Sequence, residues 1–324
     1  MLQHFFGLFY LLAVSHLLSF TGSHAADECP LQLNPQRVVV KYDGSVSADC
    51  NTSIKHKGMG WEASEGAVPM STDSLVVTWR VSELTEWDIK PYCFINYNSP
   101  MEQCNLTLPV TIYKTPDSVS ISTVNHSGPM IEGNQYELQC DVLNVAPAQN
   151  LTVNWYKGQT LVNQTIFTDT INTPVNKTSK LLICPDRADD GAQYWCEAKL
   201  ELGEEGPQPP PTAPSEKLNI EVYYKPKHSS SIETISKTND LTLNCTVKAN
   251  PAPTYSWISD HLKDTISSSV LQSSTLSSGK YTCIATNSQG QDRKVFILTS
   301  TGSRPTFWTV LIFSQFLVAS IMVT

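Results

Sequence analysis

Apolar and polar residues alternate with a period of two in several short runs. Tyr136-Glu137-Leu138-Gln139-Cys140, Leu151-Thr152-Val153-Asn154-Trp155-Tyr156 and Leu241-Thr242-Leu243-Asn244-Cys245 each turn every second side chain to one face, as a half-buried strand does. Gly44 to Cys50 and Lys90 to Ile95 read as further strands. Val110 to Thr115 ends at Pro116 and Val222 to Lys225 ends at Pro226, so both runs close a block with the same Pro-marked step. Gly203 to Ser215 carries Pro207, Pro209, Pro210, Pro211 and Pro214, which rules out a strand there and predicts an extended hairpin loop before a strand over Lys217 to Val222. The expectation is an all-β chain in three blocks, 26–114, 115–225 and 226–300.

The two ends have a different pattern. Phe5 to Phe20 is almost wholly apolar and then gives way to Thr21-Gly22-Ser23-His24-Ala25-Ala26, with small residues Ser23 and Ala25 at the −3 and −1 positions of a cleavage site. A signal peptide over 1–25 is expected, with the mature chain starting near Ala26 or Asp27. Phe307 to Thr324 carries no charge and is preceded by the small residues Ser300, Thr301, Gly302 and Ser303. Segment 301–324 therefore reads as a GPI-attachment signal or a single membrane span. Either places the protein at the cell surface, on the extracellular face of the plasma membrane.

The net charge of −8 argues against a nucleic-acid partner, because binding phosphate needs clustered Lys and Arg. Nine cysteines point to an oxidising compartment. In the middle block, Cys140, Trp155 and Asp190-Gly191-Ala192-Gln193-Tyr194-Trp195-Cys196 follow the Cys, Trp, Asp-x-x-x-Tyr-x-Cys order. This resembles the immunoglobulin-type β-sandwich, in which a disulfide joins two sheets, a Trp packs on it and the Tyr forms a corner. The third block repeats the order in compact form with Cys245, Trp257 and Gly279-Lys280-Tyr281-Thr282-Cys283. The resemblance implies bridges Cys140–Cys196 and Cys245–Cys283, and three tandem sandwiches.

The first block departs from this order, since Pro91 rather than Tyr stands two places before Cys93. Cys29, Cys50, Cys93 and Cys104 allow three pairings. Reading Gly44–Cys50 and Lys90–Ile95 as the two sheet-bridging strands makes Cys50–Cys93 the natural bridge and leaves Cys29–Cys104. Cys184 is the odd cysteine; alternation with Leu181 and Ile183 points it outward, where it is the candidate for an intermolecular bridge. Asn51, Asn105, Asn125, Asn150, Asn163, Asn176 and Asn244 each open an N-glycosylation sequon.

No catalytic set is visible. His56, His126, His228 and His261 lie beyond the leader, none spaced with another ligand as a zinc site requires, and there is no nucleophile elbow or phosphate-cradling loop. An enzyme is not expected, nor an intrinsic metal or cofactor.

Gly58-Met59-Gly60-Trp61-Glu62-Ala63-Ser64, Tyr92-Cys93-Phe94-Ile95-Asn96 and Ala146-Pro147-Ala148-Gln149-Asn150-Leu151-Thr152-Val153 carry a further resemblance. Over about 200 residues the chain looks like the first two domains of the intercellular adhesion molecules, immunoglobulin-superfamily ligands of leukocyte integrins. In that family a Glu ending a strand of domain one, in a Gly-Leu-Glu-Thr type of context, contacts the integrin. Glu62 matches it, with Trp61 and Ala63 replacing Leu and Thr, and Glu65 is the local competitor. Where the family doubles the bridge in domain one with paired Cys-x-x-x-Cys, this chain has Cys29 and Cys104 instead. The resemblance implies a partner-held Mg²⁺ whose octahedral oxygen shell is completed by the Glu62 carboxylate. The alternative is an adhesion module working by homophilic or other protein contacts without a metal.

Overall fold

Strands make up nearly all the regular structure in the computed structural model, which describes residues 29–96, 103–236 and 241–300. The leader expected over 1–25 and the anchor segment expected over 301–324 lie outside those residues. The chain divides into two compact units between Ile112 and Tyr113, a boundary that falls within the last strand of the first.

The first unit holds β1 (Leu31–Asn34), β2 (Val38–Lys41), β3 (Gly44–Thr52), β4 (Gly58–Glu62), β5 (Val68–Ser71), β6 (Val76–Leu84), β7 (Tyr92–Asn96), β8 (Gln103–Thr107) and β9 (Val110–Tyr113). One sheet runs β1-β3-β6, the facing one runs β5-β4-β7-β8, and β2 pairs with β9. Alternation does the sorting: Val46, Ala48 and Cys50 of β3 and Val77, Trp79 and Val81 of β6 turn inward and are buried. They meet Met59, Trp61, Cys93 and Ile95 from the opposite sheet. Trp61 and Trp79 lie 6.1 Å apart between ring centroids, tilted by 32°. A buried indole N–H needs an acceptor. Trp61 Nε1 donates to the Val77 carbonyl at 3.0 Å, and Trp79 Nε1 to the Glu65 carbonyl at 2.9 Å. Cys50 bonds to Cys93 across the sheets, and Cys29 to Cys104.

The second unit begins with β10 (Ser118–Thr123), β11 (Met130–Ile131), β12 (Tyr136–Val145), β13 (Leu151–Lys157), β14 (Thr160–Ile166), β15 (Val175–Ile183), β16 (Gln193–Leu200), β17 (Thr212–Pro214), β18 (Leu218–Asn219) and β19 (Val222–Tyr223). Sheets β10-β12-β15 and β14-β13-β16-β17 form a sandwich joined by Cys140–Cys196. Trp155 lies opposite Cys196 in the register and donates its indole N–H to the buried Ser179 hydroxyl at 2.9 Å. The unit continues with β20 (Ile232–Ser236), β21 (Leu241–Asn244), β22 (Thr254–Ile258), β23 (Val270–Ser273), β24 (Gly279–Asn287) and β25 (Gly290–Thr299), in sheets β20-β25-β24-β22 and β21-β23 joined by Cys245–Cys283. Here Tyr281 makes the corner bond of an immunoglobulin sandwich, its hydroxyl donating to the Ser277 carbonyl at 3.0 Å. Tyr194, at the equivalent place in the sandwich before it, lies instead beside Lys157 and Asp189, and burial raises its pKa.

Two further expectations need correction. The proline-rich stretch is not all loop: Thr212–Pro214 forms β17 against Glu197–Lys199. A proline is tolerated there because β17 is the edge strand, where the missing N–H removes no bond from a further neighbour. The strand expected over Lys217 to Val222 is broken into two pieces on different partners. β18 pairs with β16, and the chain then crosses to run parallel with β11 as β19. The crossing is held by Ile220 N–H donating to the Ala192 carbonyl and Val222 N–H to Asp190 Oδ1, both at 3.0 Å.

Near that crossing, Arg187 forks onto Glu132 with two 2.9 Å bonds and lies over the Tyr224 ring. Hydrogen bonding from Arg187 holds the Glu132 carboxyl below its ordinary value of 4.5. A depressed carboxylate contributes stability that is full above its unfolded pKa and lost as pH falls through the folded one. Thermal unfolding should therefore show an acid slope below about pH 4.5 that is shallower in Glu132→Gln. With both side chains about a third exposed, the effect is expected to be only about 0.2–1 kcal/mol. An unchanged slope would remove the pair from the stability account.

Candidate functional site

β4 is buried along its length until its last residue, Glu62, which is the first side chain of the strand to reach solvent. The register places Trp61 opposite Cys93, toward the core, and Glu62 opposite Tyr92, away from it. Tyr92 in turn faces Thr107 on β8. The outer face of this sheet is thus built in rows across the strands: Glu62–Tyr92–Thr107, then Gly60–Phe94–Asn105, then Gly58–Asn96–Gln103. Gly60 is required by the packing of the second row. A side chain there would come within 2.8 Å of the Val68 carbonyl and 3.0 Å of the Phe94 ring, so its absence lets Phe94 lie against β4 and become buried.

The Tyr92 hydroxyl donates to Glu62 Oε2. That bond, followed by partial desolvation and the nearby negative charge, raises the Tyr92 pKa above 10.0, so the donor keeps its proton throughout the physiological range. Glu62 Oε1 has no partner among the described residues. The carboxylate sits at the rim of a surface depression that Ser64, Glu86, Asp88 and Lys90 also line. One oxygen of this exposed side chain is held and the other is left without a partner among the described residues, an arrangement that can offer an oriented lone pair to a cation or a donor outside the molecule.

Glu65 is placed differently. Its carboxylate accepts the Thr85 hydroxyl at 2.9 Å and the Thr85 N–H at 3.3 Å to each oxygen, while its carbonyl accepts the Trp79 indole. Both oxygens are engaged in bracing the loop after β4 to the end of β6.

Cys184 is exposed just beyond β15, with its thiol 3.3 Å from the Gly133 carbonyl and no disulfide partner. Six of the sequon asparagines are spread over β3, β8, β14, β15, β21 and the turn at Ala148–Asn150, while Asn125 sits in a tight turn with φ 52°. His228 is a structural histidine: its ring bonds Asp292 at 2.8 Å and the Cys245 carbonyl at 3.0 Å. Among the described residues no three His, Cys, Asp or Glu side chains converge as a metal site, and no helix is long and apolar enough to cross a membrane.

Sequence reasoning singled out Glu62 but missed Tyr92 as its hydrogen-bond donor and Trp79 as the second core indole. The alternation Val77, Trp79, Val81 carried the signal for Trp79. The Tyr92 contact follows only once Cys93 is known to face Trp61.

Residues 225–287 match the immunoglobulin domain family. The chain is 25% identical to human hemicentin-1 over 82% of its own length and 5% of that protein's. It is 27% identical to rat vascular cell adhesion protein 1, over 61% of this chain and 28% of the relative. It therefore spans only a small part of the curated relatives it matches. Among solved structures, the full ectodomain of mouse nectin-like molecule 4 is similar with a TM-score of 0.50 at 19% identity, covering 83% of this chain and 99% of that one. With the sheet pairs, the cross-sheet disulfides and the tyrosine corner, these likenesses make the chain a tandem of immunoglobulin-like β-sandwich domains.

Proposed function

We propose that this is a cell-surface glycoprotein of cell–cell adhesion that presents the Glu62 carboxylate to the metal ion of a leukocyte integrin. One observation carries the reading: an exposed carboxylate at the end of a rigid, core-facing strand, with one oxygen tied to Tyr92 and the other free. Mg²⁺ requires near-octahedral oxygen coordination and retains waters that an incoming carboxylate can replace. Holding the carboxylate in place before contact lowers the ordering cost of that replacement. The Tyr92 bond thus positions the ligand oxygen, while the flat outer face beside it supplies contact area. The similarity to a vascular cell adhesion protein supports an adhesion role rather than catalysis.

The test is adhesion of integrin-bearing leukocytes to cells displaying the full chain, in Mg²⁺ and in EDTA. Adhesion that requires the cation supports the reading; adhesion indifferent to it moves the function to homophilic or other protein contacts. Within this reading Tyr92→Phe should weaken Mg²⁺-dependent adhesion up to about tenfold, since one hydrogen bond is worth about 0.5–1.5 kcal/mol. Unfolding temperature should barely change, because the hydroxyl is at the surface. Equal adhesion by wild type and Tyr92→Phe would deny Tyr92 its positioning role.

A further inference from the structure

Asn105-Leu106-Thr107 lies on β8, and both of its sequon side chains point to the outer face that carries Glu62. Thr107 closes the row Glu62–Tyr92–Thr107, and Asn105 closes the neighbouring row Gly60–Phe94–Asn105. Strands stand about 4.8 Å apart and alternate residues repeat at about 6.8 Å along a strand, so Asn105 lies roughly 12 Å from Glu62 across an unbroken sheet. Asn105 and Thr107 are exposed, and the Asn105 side-chain amide has no hydrogen-bond partner among the described residues. Between Asn105 and Glu62 the face is low: Gly60 has no side chain and Phe94 is packed down against β4. Among the described residues the side chain that stands between them is Tyr92, already tied to Glu62, so a bulky group on Asn105 can lean over the low second row toward the carboxylate. The sequon at Asn51 lies on β3, in the opposite sheet, between Gln32 and Val76.

The geometry points to an N-glycan on Asn105 that shields the Glu62 face and regulates its access to a partner. The chemistry is that of oligosaccharide transfer from a lipid-linked pyrophosphate donor. A bond forms between Asn105 Nδ2 and the anomeric carbon of the first N-acetylglucosamine, the bond from that carbon to the pyrophosphate breaks, and the amide loses one proton. The product is a bulky hydrophilic group rooted one row and two strands from the carboxylate. Shielding is a property of the face; that it governs adhesion rests on the reading of Glu62 given above.

The test uses the full chain expressed in animal cells. Glycopeptide mass spectrometry should find Asn105 occupied. Thr107→Ala removes the sequon and keeps the asparagine, and glycosidase treatment of the wild-type chain removes the glycan without a substitution. Either should raise hydroxyl-radical labelling of Tyr92 and of Met70, an exposed β5 residue whose sulfur lies 3.4 Å from Asn96 Nδ2 on the same face, several-fold, while Asn51→Gln should leave that labelling unchanged. An unoccupied Asn105, or labelling that ignores loss of the glycan, overturns the inference. Mg²⁺-dependent leukocyte adhesion is read on the same samples and should strengthen several-fold when the Asn105 glycan is absent. Labelling that rises where no sample shows cation-dependent adhesion upholds the shield and overturns the integrin reading.

Discussion

Glu62→Gln is expected to abolish Mg²⁺-dependent adhesion while leaving the fold intact. Gln keeps the size and shape of the side chain but carries no charge, and its neutral amide is a poor replacement for a water on a hard dication. A contact of this kind at the centre of an interface is a hot spot, so the loss should exceed about 2 kcal/mol, roughly thirtyfold in affinity. Stability should move by no more than about 1 kcal/mol, because Glu62 is exposed and accepts one surface hydrogen bond from Tyr92. Glu65→Gln provides the contrast. It loosens the brace to Thr85 and should lower the unfolding temperature slightly while sparing adhesion. If Glu65→Gln destroyed adhesion at full stability and Glu62→Gln did not, the contact would belong to Glu65.

The largest effect on stability is expected from Cys140→Ala with Cys196→Ala. This bridge spans 56 residues and is the single disulfide of its sandwich. In the chain-entropy account its removal costs about 4 kcal/mol. Domains of this kind are stable by only about 5–15 kcal/mol, so the loss takes a large share. The cost falls on a site already dense with dependence, because Trp155 lies opposite Cys196 and bonds the buried Ser179. Denaturant unfolding of the full chain should show the transition of this sandwich moving to much lower concentration, with the Cys245–Cys283 sandwich less affected. A shift below about 1 kcal/mol would mean that packing, not the cross-link, holds the two sheets together.

The fold was legible because its markers are local. Alternation around Cys140, Trp155 and Cys196 shows in the sequence which side chains face inward, and the structure buries all three. The proline-rich stretch misled because a proline's effect depends on where its strand lies in the sheet, and β17 occupies an edge. The run from Lys217 to Val222 looked like one strand because nothing in it shows that the chain changes partners between Asn219 and Val222. At the site, Glu62 could be singled out by its motif, but its environment could not be read. The roles of Tyr92, Thr107 and Asn105 depend on register across β4, β7 and β8, over a separation of more than forty positions. The difference between Glu62 and Glu65, three residues apart, lies in which one meets Thr85 and which one Tyr92. Only the folded chain decides that.

The most direct test of the central claim is binding between the full chain, purified from animal cells in detergent, and an immobilised integrin inserted domain loaded with Mg²⁺. Saturable binding is expected in Mg²⁺, absent in EDTA, absent in Glu62→Gln and retained in Glu65→Gln. Binding that persists in EDTA, or that Glu62→Gln leaves unchanged, would contradict the claim.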